Sequence, residues 1–458
     1  MMLNPKEVLA LVEDNARNLA INSEMIDIYE NNLTDYVLED LRRQLNDKSY
    51  HQIKHRVSPI NILPKIVDKM TNIYQSPVLR YVMDGNETDK YLLSYYSDYF
   101  DVNDTMNTVN ELYNLCRTGL VYPTIKNGIP RLIPIRNDRA VVYAKDPEDP
   151  TRPTHVILIN KEIEGKRIFY VWDDETFIIT DSDEKIRYDL MASIRNPEGI
   201  NPFGKLPFIY VNDSKFSIMP TPDIDGMRVV KLIPVMLSDL NLAAMFQCFS
   251  VIYTVNMDDS DFVLAPNVLI NLKSDPTTDQ NPSIGTIKPE VDYEQVMSLI
   301  ESELSMWLGT KGIRASSVGG LSTDNFASGI SKVIDEMDTY EARQKQVVVF
   351  KKAESELWDL VVNYMHPYWV STGQIREPLF SQKAEIITDF APQLPIQSRG
   401  QLARDLKDEY AAGFISRKRA VAKLNQDMTG DQIDELLAEI DQESSSGGFD
   451  GQTTEVQV

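Results

Sequence analysis

The chain is predicted to fold as an α+β protein, and three observations carry that expectation. The first is one very long amphipathic helix. In residues 330–365, Ile330, Val333, Ile334, Met337 and Tyr340 recur at i, i+3, i+4, i+7 and i+10, one apolar helix face. Val347, Val348, Leu357, Leu360, Val361 and Tyr364 carry it on, with no Pro or Gly after Gly329. At about 1.5 Å per residue such a helix spans on the order of 50 Å, long for a globular domain and suited to bracing neighbouring subunits of a ring. The second is a change of texture over residues 120–211, where HVILIN, RIFYVW and ETFIIT are short, β-branched and aromatic. Turn-rich pieces such as KDPEDPTRP separate them, the pattern of an antiparallel β-rich insert. The third is a composition of 42% apolar and 25% charged residues, that of an ordinary soluble protein.

The remaining elements follow in chain order. Residues 1–118 read as helical, with Leu9, Leu11 and Val12 early, NDTMNTVNELYNLCRTG late, and Gly119 as the stop. Residues 223–256 read as helix again, kinked or restarted at Pro234. Residues 258–290 are dense in Pro, Asp, Ser and Thr around one apolar strand at 268–272, and 291–308 return to helix. Two helices thus flank a compact tip, which has too little apolar content for its own core. Val268, Leu269 and Ile270 are therefore expected to be buried between chains. The polar loop KGIRASSVGGLSTDNFASG precedes the long helix; its glycines and serines predict mobility, and Lys311 and Arg314 suit a phosphate backbone. AEIITDFAPQLP alternates as a strand ending at Pro392 and Pro395. A small helical unit comes last. Ser398 with Gln401 and Thr429 with Gln432 have capping-box spacing, and Gly413 sits where a helix C-cap belongs. The tail SSSGGFDGQTTEVQV is expected to be disordered, and no internal repeat is present.

The 458 residues suffice for about two to four domains with real cores. A formal net charge of −23 argues against a protein that grips nucleic acid by neutralising phosphates, but not against a conduit past which DNA slides. The plainer account of the charge is a solvated acidic surface. Cys116 and Cys248 are far apart, without a C-x-x-C pattern, and read as buried thiols of a reducing compartment. The first residues lack the cationic and apolar regions of a signal peptide. The longest uncharged run, 240–257, contains Asn241, Gln247, Ser250 and Thr254, so a helix buried among protein neighbours fits better than a membrane span.

No motif points to catalysis. Gly199, Gly204 and Lys205 match G-x-x-x-x-G-K, but Leu206 replaces the Ser or Thr that would hold Mg²⁺, Pro202 removes an amide, and a strand follows instead of a helix. His51 and His55 lie i, i+4 with no further ligand near, while His155 and His366 stand alone. No catalytic residue, metal site or cofactor is expected. Residues 427–443 hold acids and no Lys or Arg; repeated around an axis they would make a negative collar that repels phosphate, and singly they are a solvated helix face.

The order of these elements resembles the portal protein family of tailed bacteriophages, the ring at one capsid vertex through which DNA passes. GKLPFIYVND (204–213) resembles the family's turn-and-strand segment closing a β-rich wing. The helix of 223–256, the tip of 258–290 and the helix of 291–308 resemble stem, clip and stem. The loop of 311–326 and the helix from 327 resemble the tunnel loop and the helix behind it. FAPQLPIQSRGQLARDLKDEYAAGFISRKRAVAKL is similar to the Pro-rich strand and crown helices, with Gly413-Phe414-Ile415-Ser416 as the turn. The likeness spans nearly the whole chain and rests on order more than on any single motif.

That resemblance implies an α/β wing over 1–222, a stem helix over 223–257, a clip over 258–290 and a second stem helix over 291–310. It further implies a tunnel loop over 311–326, the long wing helix and return strand over 327–396, a short helical crown over 397–443 and a disordered tail over 444–458. Lys311, Arg314, Ser316, Ser317 and Asn325 become the DNA-facing loop residues, and Val268, Leu269 and Ile270 the inter-subunit contacts of the clip. The implied partners are further copies of the chain in a closed ring of about twelve, double-stranded DNA in the channel, terminase, a head-completion or adaptor protein, and the major capsid or scaffolding protein. The implied location is the virion, without membrane or enzymatic activity. The alternative is a ring-forming connector or adaptor that never surrounds DNA.

Overall fold

The computed structural model describes residues 2–441 except 58, 77, 84, 147, 250, 256–282, 288–291, 314–328, 383, 391–398, 426–432 and 434–435. It is a mixed helix-and-sheet fold. The elements run α1 Pro5–Asp14, α2 Ala16–Tyr29, α3 Leu33–Gln44, α4 Asp47–Ile53, α5 Leu63–Met70, β1 Val78–Met83, α6 Glu87–Phe100 and α7 Val102–Cys116. Then come β2 Thr118–Lys126, β3 Ile129–Ile135, β4 Ala140–Tyr143, β5 His155–Ile163, β6 Lys166–Trp172, β7 Phe177–Asp181, α8 Tyr188–Ser193 and β8 Ile209–Asn212. The second half holds α9 Ile224–Phe249, β9 Val251–Val255, β10 Ser283–Ile287, α10 Tyr293–Thr310, α11 Gly329–Leu360, α12 His366–Ser371, β11 Glu385–Phe390, α13 Arg399–Ala411 and α14 Arg417–Leu424.

The β-rich insert is two antiparallel sheets, β3-β2-β8 and the meander β4-β5-β6-β7. The meander's core combines Val156, Ile157, Phe169 and Ile179 with Val8 and Val12 of α1, so the N-terminal helix lies against it. A second core joins α2, α3, α5 and α7 to the paired helices α9 and α10 through Ile28, Leu33, Ile66, Val230, Leu304 and Leu308. Lys231 of α9 reinforces that union, its Nζ lying 2.8 Å from Glu24 and 3.1 Å from Asp40. A third core gathers Tyr96, Phe100, Met106, Phe350, Leu357, Trp358 and Trp369 around α11.

Several sequence expectations are corrected. Residues 1–118 are not all helical, because β1 lies among them and pairs antiparallel with β11 from Val78↔Phe390 to Met83↔Glu385. Residues 251–255, assigned by sequence to the helix of 223–256, form β9 and pair with β10; the run VIYTV is β-branched and aromatic and prefers the pleated surface. Pro234 lies inside α9 without ending it. Gly119 does not stop a helix. Arg117 does so in the left-handed conformation at φ 64°, and Gly119 is the second residue of β2, where a Cβ would come 2.6 Å from Val109 Cγ1. The long helix extends as expected through 32 residues of α11 and then changes to a π turn, Val361–Met365, with the His366 amide bonding to Val361 O. Pro367 follows and has no amide to continue an α-helical ladder. Gly413 caps α13 at φ 76°, as its position predicts.

Candidate nucleic-acid interface

The described part of the expected DNA-facing loop is its base, where α10 ends. Asp223, just before α9, receives three donors there. Its Oδ1 accepts from the Gly226 amide at 3.1 Å, an N-cap bond, and its Oδ2 accepts from Trp307 Nε1 at 3.0 Å. The same Oδ2 lies 2.7 Å from Lys311 Nζ. Burial pushes the Asp223 carboxyl up, but the Lys311 ammonium, the indole N–H and the Gly226 amide outweigh it and hold the group below its usual range. A Cβ on Gly226 would stand 2.5 Å from Trp307 Cζ2, so glycine is what lets α9 approach the indole.

Lys311, expected to meet DNA, is paired with Asp223, and 26% of its side chain is exposed. Arg314, Ser316, Ser317 and Asn325 lie outside the described residues, as do Val268, Leu269 and Ile270 of the expected clip contacts. The capping residues Ser398, Thr429 and Gln432 also fall outside them. Beside the loop base is a cleft of about 590 Å³ whose charged lining is mostly cationic. Lys69 from α5, Lys311 and Lys345 from α11 contribute, along with Arg117, which is held by Asp213 at 2.8 Å. In a chain of net charge −23 this is a local reversal of sign.

The wall of that cleft is rigid. Asn110, Asn114 and Gln346 form a closed ring of amide bonds at 2.9–3.1 Å that locks α11 to α7. One turn earlier Arg343 is 2% exposed and reaches Asn72 O at 3.4 Å. Further along, Glu354 is fully buried and accepts both arms of Arg80 at 2.7 Å, Tyr74 Oη at 2.8 Å and Thr388 Oγ1 at 2.9 Å. That carboxylate joins β1, β11 and α11, elements that sequence order leaves far apart.

The P-loop-like segment is a rigid turn. Asn201 Oδ1 accepts from the Phe203 amide, Asp174 from the Leu206 amide, and the Gly204 amide bonds to Asn201 O. Its amides thus point into the protein, and β8 follows. Lys205 pairs with Asp359 at 2.6 Å and lies 4.6 Å from the centre of the Tyr364 ring. His155 and His366 are buried at 3% and 0% exposure. His366 sits between Tyr96 Oη at 2.6 Å and Pro378 O at 2.8 Å, and burial lowers its pKa against the raising effect of the Pro378 carbonyl. Among the described residues no group of three or more His, Cys, Asp or Glu could hold a metal ion, and no helix is long and apolar enough to cross a membrane.

No family model and no curated protein matches the chain. Among solved structures, it is similar to a chain from the neck of an empty GTA particle computed with C6 symmetry, at 12% identity and a TM-score of 0.36. The match covers 80% of this chain and 89% of that one, and is too slight to carry an argument about function.

Sequence reading found Lys311 and missed its partner. Asp223 carries a readable signal, an acid directly before a helix, but that signal predicts a cap and says nothing of Lys311. The Asn110–Asn114–Gln346 ring and the Arg80–Glu354 pair have no local signature at all.

Proposed function

We propose that the chain is a portal subunit: a non-enzymatic structural protein that forms a ring-shaped channel at the capsid vertex. Viral double-stranded DNA is packaged, retained and ejected through it, and terminase and head-tail adaptor proteins dock on it. The observation that carries this reading is the sequence of parts from α9 to α11. Two paired helices, α9 and α10, flank the antiparallel β9–β10 pair, and α11, a 32-residue helix against the sheets, follows in the chain.

The outer surfaces of those helices support assembly. Leu232 on α9, Leu299 and Met306 on α10, and Val348 on α11 are exposed at 40%, 50%, 64% and 70%. From Gln295 to Gly309 the exposed residues of α10 are Gln295, Ser298, Leu299, Ser302, Ser305, Met306 and Gly309, none of them charged, and the exposed Glu294 stands only at the start of the helix. A solvated helix face normally carries Lys and Glu, so an uncharged one fits burial against a neighbouring copy. An acidic chain suits a conduit, because each strong phosphate contact would multiply affinity and trap the DNA.

Native mass spectrometry with imaging of the purified assembly tests this. The expected result is a closed ring of 52.2 kDa copies with an open axial channel wide enough for duplex DNA, roughly 20 Å. A ring with a closed or narrower channel would sink the portal reading in favour of a connector that does not surround DNA.

A further inference from the structure

The helical pair α13–α14 presents an aromatic knob and an apolar hole on different faces. Helix α13 ends in a Schellman motif: Gly413 N bonds to Tyr410 O and Phe414 N to Glu409 O, both at 3.0 Å. In this motif the residue after the glycine ordinarily packs against the residue five before it. Here that position is Glu409, so Phe414 has no apolar partner and stands 85% exposed on a turn fixed by two backbone bonds. Ser416 then caps α14, its side chain accepting from the Arg419 amide at 3.3 Å, so the knob is held from both sides.

The hole is a groove of about 360 Å³ between the two helices, lined by Ala403, Leu406, Tyr410, Ala420, Val421 and Leu424. Leu406 is the one buried apolar residue among the described side chains of this pair, and α14 buries none. The pair therefore lacks a core of its own. Lys407 and Arg417 border the groove; Arg417 is paired with Asp441, and Glu409 at the end of α13 with Lys423 at 3.7 Å. An exposed Phe presented by the same chain matches the groove in size and apolar character.

We propose that Phe414 of one copy seats in the α13–α14 groove of the next copy. Because knob and hole are different surfaces, the contact is head-to-tail, and it repeats around a closed ring rather than ending at a two-fold dimer. The contact rests on the ring reading above and specifies its interface at this level.

Cysteine cross-linking tests it. Rings are identified first by native mass spectrometry, then oxidised. Chains carrying both Phe414→Cys and Leu424→Cys should give a ladder of covalent multimers. A mixture of the two single variants should give dimers only. Absence of intermolecular bonds in intact rings would overturn the proposal, leave the portal reading standing, and assign the groove to another protein. Dimers from Phe414→Cys alone would overturn it in favour of a two-fold contact. Absence of any ring would remove the portal reading and this contact together. In parallel, Phe414→Ala should raise the concentration for half-assembly about 30-fold, in keeping with burial of one aromatic side chain at an interface. An unchanged assembly curve would count against the contact.

Discussion

Lys311 Nζ lies 2.7 Å from Asp223 Oδ2, so the residue that caps the end of α10 is tied to the residue just before α9. Asp223→Ala removes the charge partner and leaves the Trp307 indole N–H without its acceptor. The expected cost is about 1–3 kcal/mol. A double-mutant cycle with Lys311→Ala should show coupling of about 1 kcal/mol; additive losses in denaturant midpoint would mean the two residues do not act together.

On the portal reading, Lys311→Ala with Arg314→Ala should leave ring assembly intact while changing packaged DNA length or packaging yield. Unchanged values for both would remove these residues from the channel surface.

Gly226 permits the approach of α9 to Trp307, since a Cβ there would stand 2.5 Å from the indole and 2.7 Å from Asp223 Oδ2. Gly226→Ala, otherwise favourable inside a helix, should destabilise by about 1–3 kcal/mol through overpacking. A thermal unfolding midpoint equal to or above that of the parent would show that the indole moves aside.

Glu354 is fully buried and holds Arg80, Tyr74 and Thr388. Removing it strands a guanidinium of which only 8% is exposed. Glu354→Ala should cost about 3–5 kcal/mol, the value for breaking a buried pair from one side. Replacing Arg80 and Glu354 together by apolar residues should cost less than Glu354→Ala alone; a larger loss in the double variant would contradict this account.

His366 makes stability depend on pH. Its folded pKa is lowered, by burial first, against the raising effect of the Pro378 carbonyl. The folded state therefore prefers the neutral ring, donating from Nε2 to Pro378 O and accepting at Nδ1 from Tyr96. The unfolded chain titrates near 6.5. The contribution is present above that value and lost as pH falls toward and through the lowered folded pKa. Denaturant midpoints between about pH 8 and 5 should fall on the acid side of 6.5, and His366→Gln should flatten that fall. An equally steep decline in the variant would assign the effect to other groups.

Much of the fold was legible because its signals are local. The helical run of α11, the β-branched runs of the meander and the Gly413 cap each lie within a short window, although Val348, placed on the apolar face of α11 by its spacing, is 70% exposed. What was misread also has a common cause. The strand β1 is six residues of alternating pattern in a helical neighbourhood, and its partner β11 lies about three hundred residues on. Likewise VIYTV follows α9 directly, and only its pairing with Ser283–Ile287 makes it a strand. The Asp223 partner of Lys311 was not legible, because a sequence displays charges without their partners.

Periodicity, turn chemistry and composition thus determined that this chain makes long amphipathic helices, an antiparallel β insert and an acidic surface, since those properties follow from each residue and its near neighbours. The tertiary structure alone decided which distant groups meet: Asp223 with Lys311, Arg80 with Glu354, Tyr96 with His366. Such pairings are fixed by the packing of whole elements, because a buried polar group must find a donor or acceptor wherever the fold brings one within reach.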